Sequence, residues 1–241
     1  MIAAQITNLT KKYKNGRGIE DLSLSIEEGR VTGLLGPNGS GKTTTMKLMC
    51  GLITPDSGEM RIFDRDPVES IEQVMENVGC LIESPAFHPY LTAVQNLEII
   101  RRLYPDCPKA RVLHVLEQVG LLQYKDDKTG RFSLGMKQRL GLAMTMLSEP
   151  QMLILDEPMS GLDIEGMADI RQIIIREAKN GKTILISSHL SSEIQEICTD
   201  IAVIREGRLI ATAKVPEILA NFGSVENYYL NLIKHECGET A

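Results

Sequence analysis

Residues 36–44 read GPNGSGKTT, lodged between an apolar run and a stretch with helical spacing. The preceding VTGLL (31–35) is continuously apolar around one glycine, as in a strand buried on both faces. Gly36, Gly39 and Gly41 let the backbone turn tightly and bring its N–H groups close to an anion. The helix that begins at the loop points its free N–H groups and its positive dipole end at the same anion. Lys42 adds a full charge for terminal phosphates, and the hydroxyl of Thr43 is an oxygen ligand suited to Mg²⁺. A glycine-rich turn that merely caps a helix is the alternative. The GxxxxGK[ST] spacing in a strand–loop–helix setting favours a site for a nucleoside triphosphate.

A buried strand needs partners, and three further runs have the same character: MLILD (152–156), TILIS (183–187) and IAVI (201–204). Helical patterns over Thr43–Cys50, Glu165–Lys179 and Ser192–Cys198 alternate with them, which predicts a largely parallel sheet covered on both sides. Ile2–Asn8, DLSLSI (21–26) and Glu59–Phe63 instead alternate polar and apolar, as half-buried strands of an N-terminal antiparallel subdomain. Segments 92–103, 109–119 and 136–148 are helical with no strand between them. The expectation is a single α/β domain over 1–241, with a helical insertion at about 84–150 and short closing helices at about 215–235.

Composition narrows the function classes. The 241 residues, 43% of them hydrophobic, suffice for a real core. A formal charge of −6 without a basic stripe argues against nucleic acid as a partner. Five cysteines (50, 80, 107, 198 and 237) form no CxxC pair, and the four histidines form no ligand cluster. That pattern fits a reduced cytosolic protein better than a disulfide framework or zinc site. No apolar run is long enough to span a membrane, and MIAAQITNLTKKYK is unlike a signal peptide. If the protein works at a membrane, another chain is expected to supply the span.

MLILDEP ends its strand in two acids, Asp156 and Glu157. Ligands of parallel sheets sit at the carboxyl ends of the strands, so both acids are expected at the edge that carries the phosphate loop. Neighbouring strand residues face opposite ways, which permits two roles: Asp156 on Mg²⁺, Glu157 as the base that orients the attacking water. Strand-end acids can also be simple helix caps; the phosphate loop is what favours chemistry.

The order of these motifs resembles the nucleotide-binding subunit of ABC transporters, from about residue 3 to about residue 220. GPNGSGKTT is similar to the Walker A loop of that family, MLILDEP to its Walker B strand, SGLD (160–163) to its D-loop and FSLGMKQRLGLA (132–143) to its signature. The resemblance implies a P-loop NTPase fold with a RecA-like core, ATP and Mg²⁺ as cofactors, and ATP hydrolysis. Carried over by position, Gly36, Asn38, Gly39, Ser40, Gly41, Lys42, Thr43 and Thr44 would hold the phosphates, and Tyr13 in KKYK would stack on adenine. His189 in SSHLSSE would contact the terminal phosphate and Glu157 as the switch histidine. Ser133 and Gly135 would serve ATP bound on the opposite subunit, with Asp163 of the D-loop at the dimer contact. A dimer of nucleotide-binding subunits follows from that division.

The family places a glutamine at the end of the strand before the helical insertion. Here the residue is Glu83, in ESPAFHPY (83–90). Glutamate keeps an oxygen for Mg²⁺ but loses two N–H donors and adds a charge. The segment after it falls where the family docks the coupling helix of its membrane permease, with Phe87 and Tyr90 as apolar anchors. At least one of these aromatics is expected to pack into the protein's own core. The signature also departs, with Leu134 for a glycine and Met136 for a glutamine. ESP together with SLGMKQR resembles exporters that protect bacteria from bacitracin or lantibiotics, on the cytoplasmic face of the membrane. Two other classes stay open: a soluble ABC-type ATPase without a permease, and an import subunit.

Overall fold

The structure, a computed structural model, describes residues 1–236. Cys237 therefore lies outside the described residues. The chain opens with β1 (Ile2–Lys12), β2 (Gly18–Glu27), β3 (Val31–Leu35), α1 (Lys42–Met49) and β4 (Ser57–Ile62). There follow α2 (Ile71–Met75), β5 (Val78–Leu81), α3 (Ala93–Arg101), α4 (Ala110–Gln118) and α5 (Leu134–Met146). The last third holds β6 (Met152–Asp156), α6 (Ile164–Lys179), β7 (Thr183–Ser188), α7 (Ser191–Ile197) and β8 (Asp200–Arg205). It closes with β9 (Arg208–Lys214), α8 (Val215–Phe222) and α9 (Val225–Glu236).

Two sheets result. β2–β1–β4 is antiparallel, and β5–β6–β7–β3–β8–β9 is parallel except for β9. β3, β6 and β7 are buried at every position, as their unbroken apolar runs demand. Their side chains alternate between two cores. Val31, Leu35, Leu153, Leu155, Ile184 and Ile186 join helical residues such as Leu97, Val115, Leu140 and Ile170. Leu34, Ile154 and Leu185 join Ile6, Leu24, Ile26 and Met46 beneath the antiparallel sheet. Each such fully buried Leu or Ile contributes about 1.5–3 kcal/mol over its exposed state.

Several elements differ from the sequence reading, among them the short helix α2, which it does not anticipate, and β2, which begins at Gly18 rather than Asp21. β1 runs to Lys12 rather than Asn8, because pairing with β2 and β4 carries it past a bulge, with Asn8 at φ 50°. β9 is unanticipated. It is joined to β8 by the two-residue turn Glu206–Gly207, where φ is 49° and 80°. Positive φ at both positions is the tight-hairpin geometry that matches strand twist. The strand itself is only part-buried, so its apolar pattern is weak.

The strand order sets the site. β7 lies between β6 and β3, with Ser187 paired to Asp156 on one side and to Leu34 on the other. The carboxyl ends of all three strands therefore meet at one edge.

Candidate functional site

The phosphate loop is held from below. A Cβ on Gly36 would lie 2.1 Å from the carbonyl oxygen of Ile204 and 2.7 Å from Ser40 Oγ, so no other residue fits there. Gly41, at φ 112°, is the N-cap of α1, a conformation that L side chains rarely adopt. Gly207 N donates to Ser40 O at 2.9 Å, bracing the loop from the β8–β9 turn. Ser40 Oγ is buried without a hydrogen-bond partner among the described residues. Lys42, 4% exposed, curls back over the loop: Nζ donates to Gly36 O at 2.8 Å and Pro37 O at 3.2 Å, and lies 3.4 Å from Glu157 Oε1.

The two acids of β6 are fixed from several directions. Thr43 Oγ1 donates to Asp156 Oδ2 at 2.9 Å, and Ser187 Oγ donates to Asp156 Oδ1 at 2.7 Å. Glu157 leaves the strand with φ 45° and its N–H donates to the same Ser187 Oγ at 2.9 Å. Its Oε2 lies 2.8 Å from His189 Nδ1. Lys42 and His189 thus flank the Glu157 carboxylate. A bundle of hard oxygen donors, Thr43 Oγ1 with the Asp156 carboxylate beside Lys42, suits a small divalent cation with phosphate.

Above these groups opens a cleft of about 440 Å³, lined by Tyr13, Asn38, Gly39, Thr44, Lys47 and Glu157 among others. Tyr13 stands partly exposed at its mouth, just after β1, with its N–H bonded to Arg17 O. Asn15 and Arg17 also line this cleft, and sequence reasoning missed both. Their signal was the short polar turn KNGRG between two strands.

Glu83 sits two residues beyond β5 with φ 60°. The structure pairs it with Lys47 of α1 at 2.6 Å, rather than with Thr43 or Asp156. That hydrogen bond holds the Lys47 ammonium above its ordinary pKa range, against the opposing pull of partial burial. In the following loop the two aromatics part company. Phe87 packs against the helical core, whereas Tyr90 is 83% exposed. Buried Asn96 shapes this loop: its Oδ1 accepts from His88 N at 2.8 Å and its Nδ2 donates to Thr92 O at 2.9 Å.

Ser133 caps α5, its Oγ accepting from Met136 N at 3.2 Å, and Gly135 follows in the first turn. Asp163 caps α6 by accepting from Gly166 N at 2.8 Å. The signature packs on the D-loop of its own chain, since a Cβ on Gly161 would lie 3.4 Å from Leu134 Cδ2. Neither Ser133 nor Gly135 lines the nucleotide cleft. Leu134, Ile164 and Leu190 are instead exposed beside these motifs. Among the described residues no helix is long and apolar enough to cross a membrane.

Residues 19–160, more than half of the chain, match the ABC transporter family model. The chain is 42% identical to the bacitracin transport ATP-binding protein of Enterococcus faecalis, over 88% of this chain and 69% of that one. It is 36% identical to the lantibiotic transport ATP-binding protein of Streptococcus pyogenes, over 86% of this chain and 88% of that one. A solved ATP-binding subunit of an ABC transporter superposes with a TM-score of 0.85 at 26% identity, covering 96% of this chain and all of that one. With its phosphate loop, paired strand-end acids and cleft, the chain belongs to the ABC transporter family as an ATP-binding, ATP-hydrolysing member.

Proposed function

We propose that this chain drives the export of peptide antibiotics of the bacitracin or lantibiotic kind, as one half of a pair of ATP-binding subunits docked beneath a membrane permease. The observation that carries the substrate class is the likeness to two relatives named for those transports, each matched over more than 85% of this chain. The largely exposed Tyr90, on a loop stiffened by Pro85 and Pro89, supports a docking surface for a helix of the permease. Tagging the protein in its host and extracting with mild detergent should bring down a polytopic membrane protein. Deleting the pair should sensitise the host to bacitracin or a lantibiotic. A soluble partner, or unchanged sensitivity to both, would set this reading aside.

Within the site, Thr43 and Asp156 would hold Mg²⁺, which when bound neutralises charge on the phosphate oxygens. Lys42 supplies its positive charge at the loop, free to leave the carbonyls of Gly36 and Pro37 for phosphate oxygens. Glu157 orients the attacking water and takes its proton, its carboxylate aimed by His189. Ser133 and Gly135, displaced from their own chain's cleft, serve the ATP of the partner subunit, with Asp163 at the seam between the two.

Glu83 is read as an outer oxygen for the metal, held off by Lys47 until nucleotide arrives. An ion pair this exposed shifts equilibria little, so Glu83→Gln should leave nucleotide affinity within about fivefold of the parent. The Mg²⁺ concentration for half-maximal turnover should change. Identical metal dependence in a magnesium titration would remove Glu83 from the site.

A further inference from the structure

We infer that Ser187 is a positioning residue that sets both acids of β6 for catalysis, through a single hydroxyl. Three observations carry this. Ser187 is fully buried at the carboxyl end of β7, the strand between β6 and β3. Its Oγ donates to Asp156 Oδ1 at 2.7 Å. The same oxygen accepts from Glu157 N at 2.9 Å. A hydroxyl is the smallest side-chain group that does both.

Each bond has its own consequence. Asp156 is gripped by Ser187 through one oxygen and by Thr43 through the other, so its carboxylate plane is fixed between β7 and α1. Glu157 turns off the strand in a left-handed conformation, and the bond to Ser187 ties down its N–H at that turn. Two residues further along the chain, His189 meets the Glu157 side chain at 2.8 Å. The end of β7 therefore holds Glu157 at backbone and carboxylate alike, and it holds Asp156 as well. His189 and Ser187, two residues apart, both bond to Glu157.

The inference rests on the reading of Asp156 and Glu157 as metal ligand and base. Ser187→Ala removes both bonds and leaves the N–H of Glu157 and one Asp156 oxygen without their partner. Loss of a hydrogen bond to a charged group predicts a fall in kcat of about tenfold to hundredfold, with affinity for metal-free ATP within about threefold. It should also raise the Mg²⁺ concentration needed for half-maximal turnover, a readout that loosened packing alone does not move. Ser187→Thr keeps the hydroxyl and should recover most of both, with melting temperature recorded for each variant. Parent-like kcat and Mg²⁺ requirement in Ser187→Ala would overturn the inference. So would equal loss in the Ala and Thr variants, which would trace the effect to volume. A parent chain without Mg²⁺-dependent turnover would instead fail the underlying reading of the acids.

Discussion

Glu157→Gln should abolish turnover, lowering kcat by at least about a hundredfold, while ATP still binds. The amide matches the carboxylate in shape, and its oxygen still meets the imidazole of His189, now 2.8 Å away. What disappears is the basic lone pair that accepts a proton from water. A second effect points the other way. Glu157 now lies 3.4 Å from Lys42 and places negative charge where phosphate arrives. Neutralising it relieves that repulsion, so the variant should hold ATP at least as well as the parent. Light scattering with Mg-ATP should then show a stable species of twice the chain mass. Hydrolysis at the parent rate would strip Glu157 of its role as base. A variant that binds ATP yet never exceeds one chain in mass would count against the proposed pairing of two subunits.

Lys42→Ala should lower nucleotide affinity by about tenfold to hundredfold, the loss expected when charge-assisted hydrogen bonds vanish. No other cation lining the cleft sits on the phosphate loop: Lys47 lies further along α1, and Arg17 lies in the turn between β1 and β2. The buried ammonium also satisfies the carbonyls of Gly36 and Pro37. Some of the loss could therefore come from a loosened loop, and thermal melting separates the two. A melting temperature near that of the parent together with weak binding measured by calorimetry assigns the effect to phosphate recognition. Parent-like affinity would mean that the backbone cradle alone suffices.

Much of the fold was legible because buried parallel strands are written as unbroken apolar words. VTGLL and MLILD became β3 and β6 at the same residues, and TILIS gained one serine. Helix ends were placed within about two residues, with Thr92, Ser133 and Asp163 as caps that local composition announces. β9 escaped because an edge strand with one wet face carries little pattern, and only the Glu206–Gly207 turn marks it. The site was legible as motifs but not as contacts. Spacing put Lys42 near phosphates, yet it could not show the side chain folded onto its own loop. The partner of Glu83 lies 36 residues away on α1, a distance that only the fold closes. Ser187 hid in plain view, as a hydroxyl after Ile184, Leu185 and Ile186, because its value depends on β7 lying beside β6.

The separation of Ser133 and Gly135 from the cleft of their own chain has a consequence for genetics. If the proposed unit is made of two copies of this chain, each copy is host at one site and lid at the other. A copy spoiled in its phosphate loop is then not merely idle, for it still occupies a healthy neighbour and consumes half of that pair's capacity. Such alleles would act dominantly in a cell that also makes the intact protein. A loop-defective copy and a lid-defective copy, each dead alone, would together rebuild one working site.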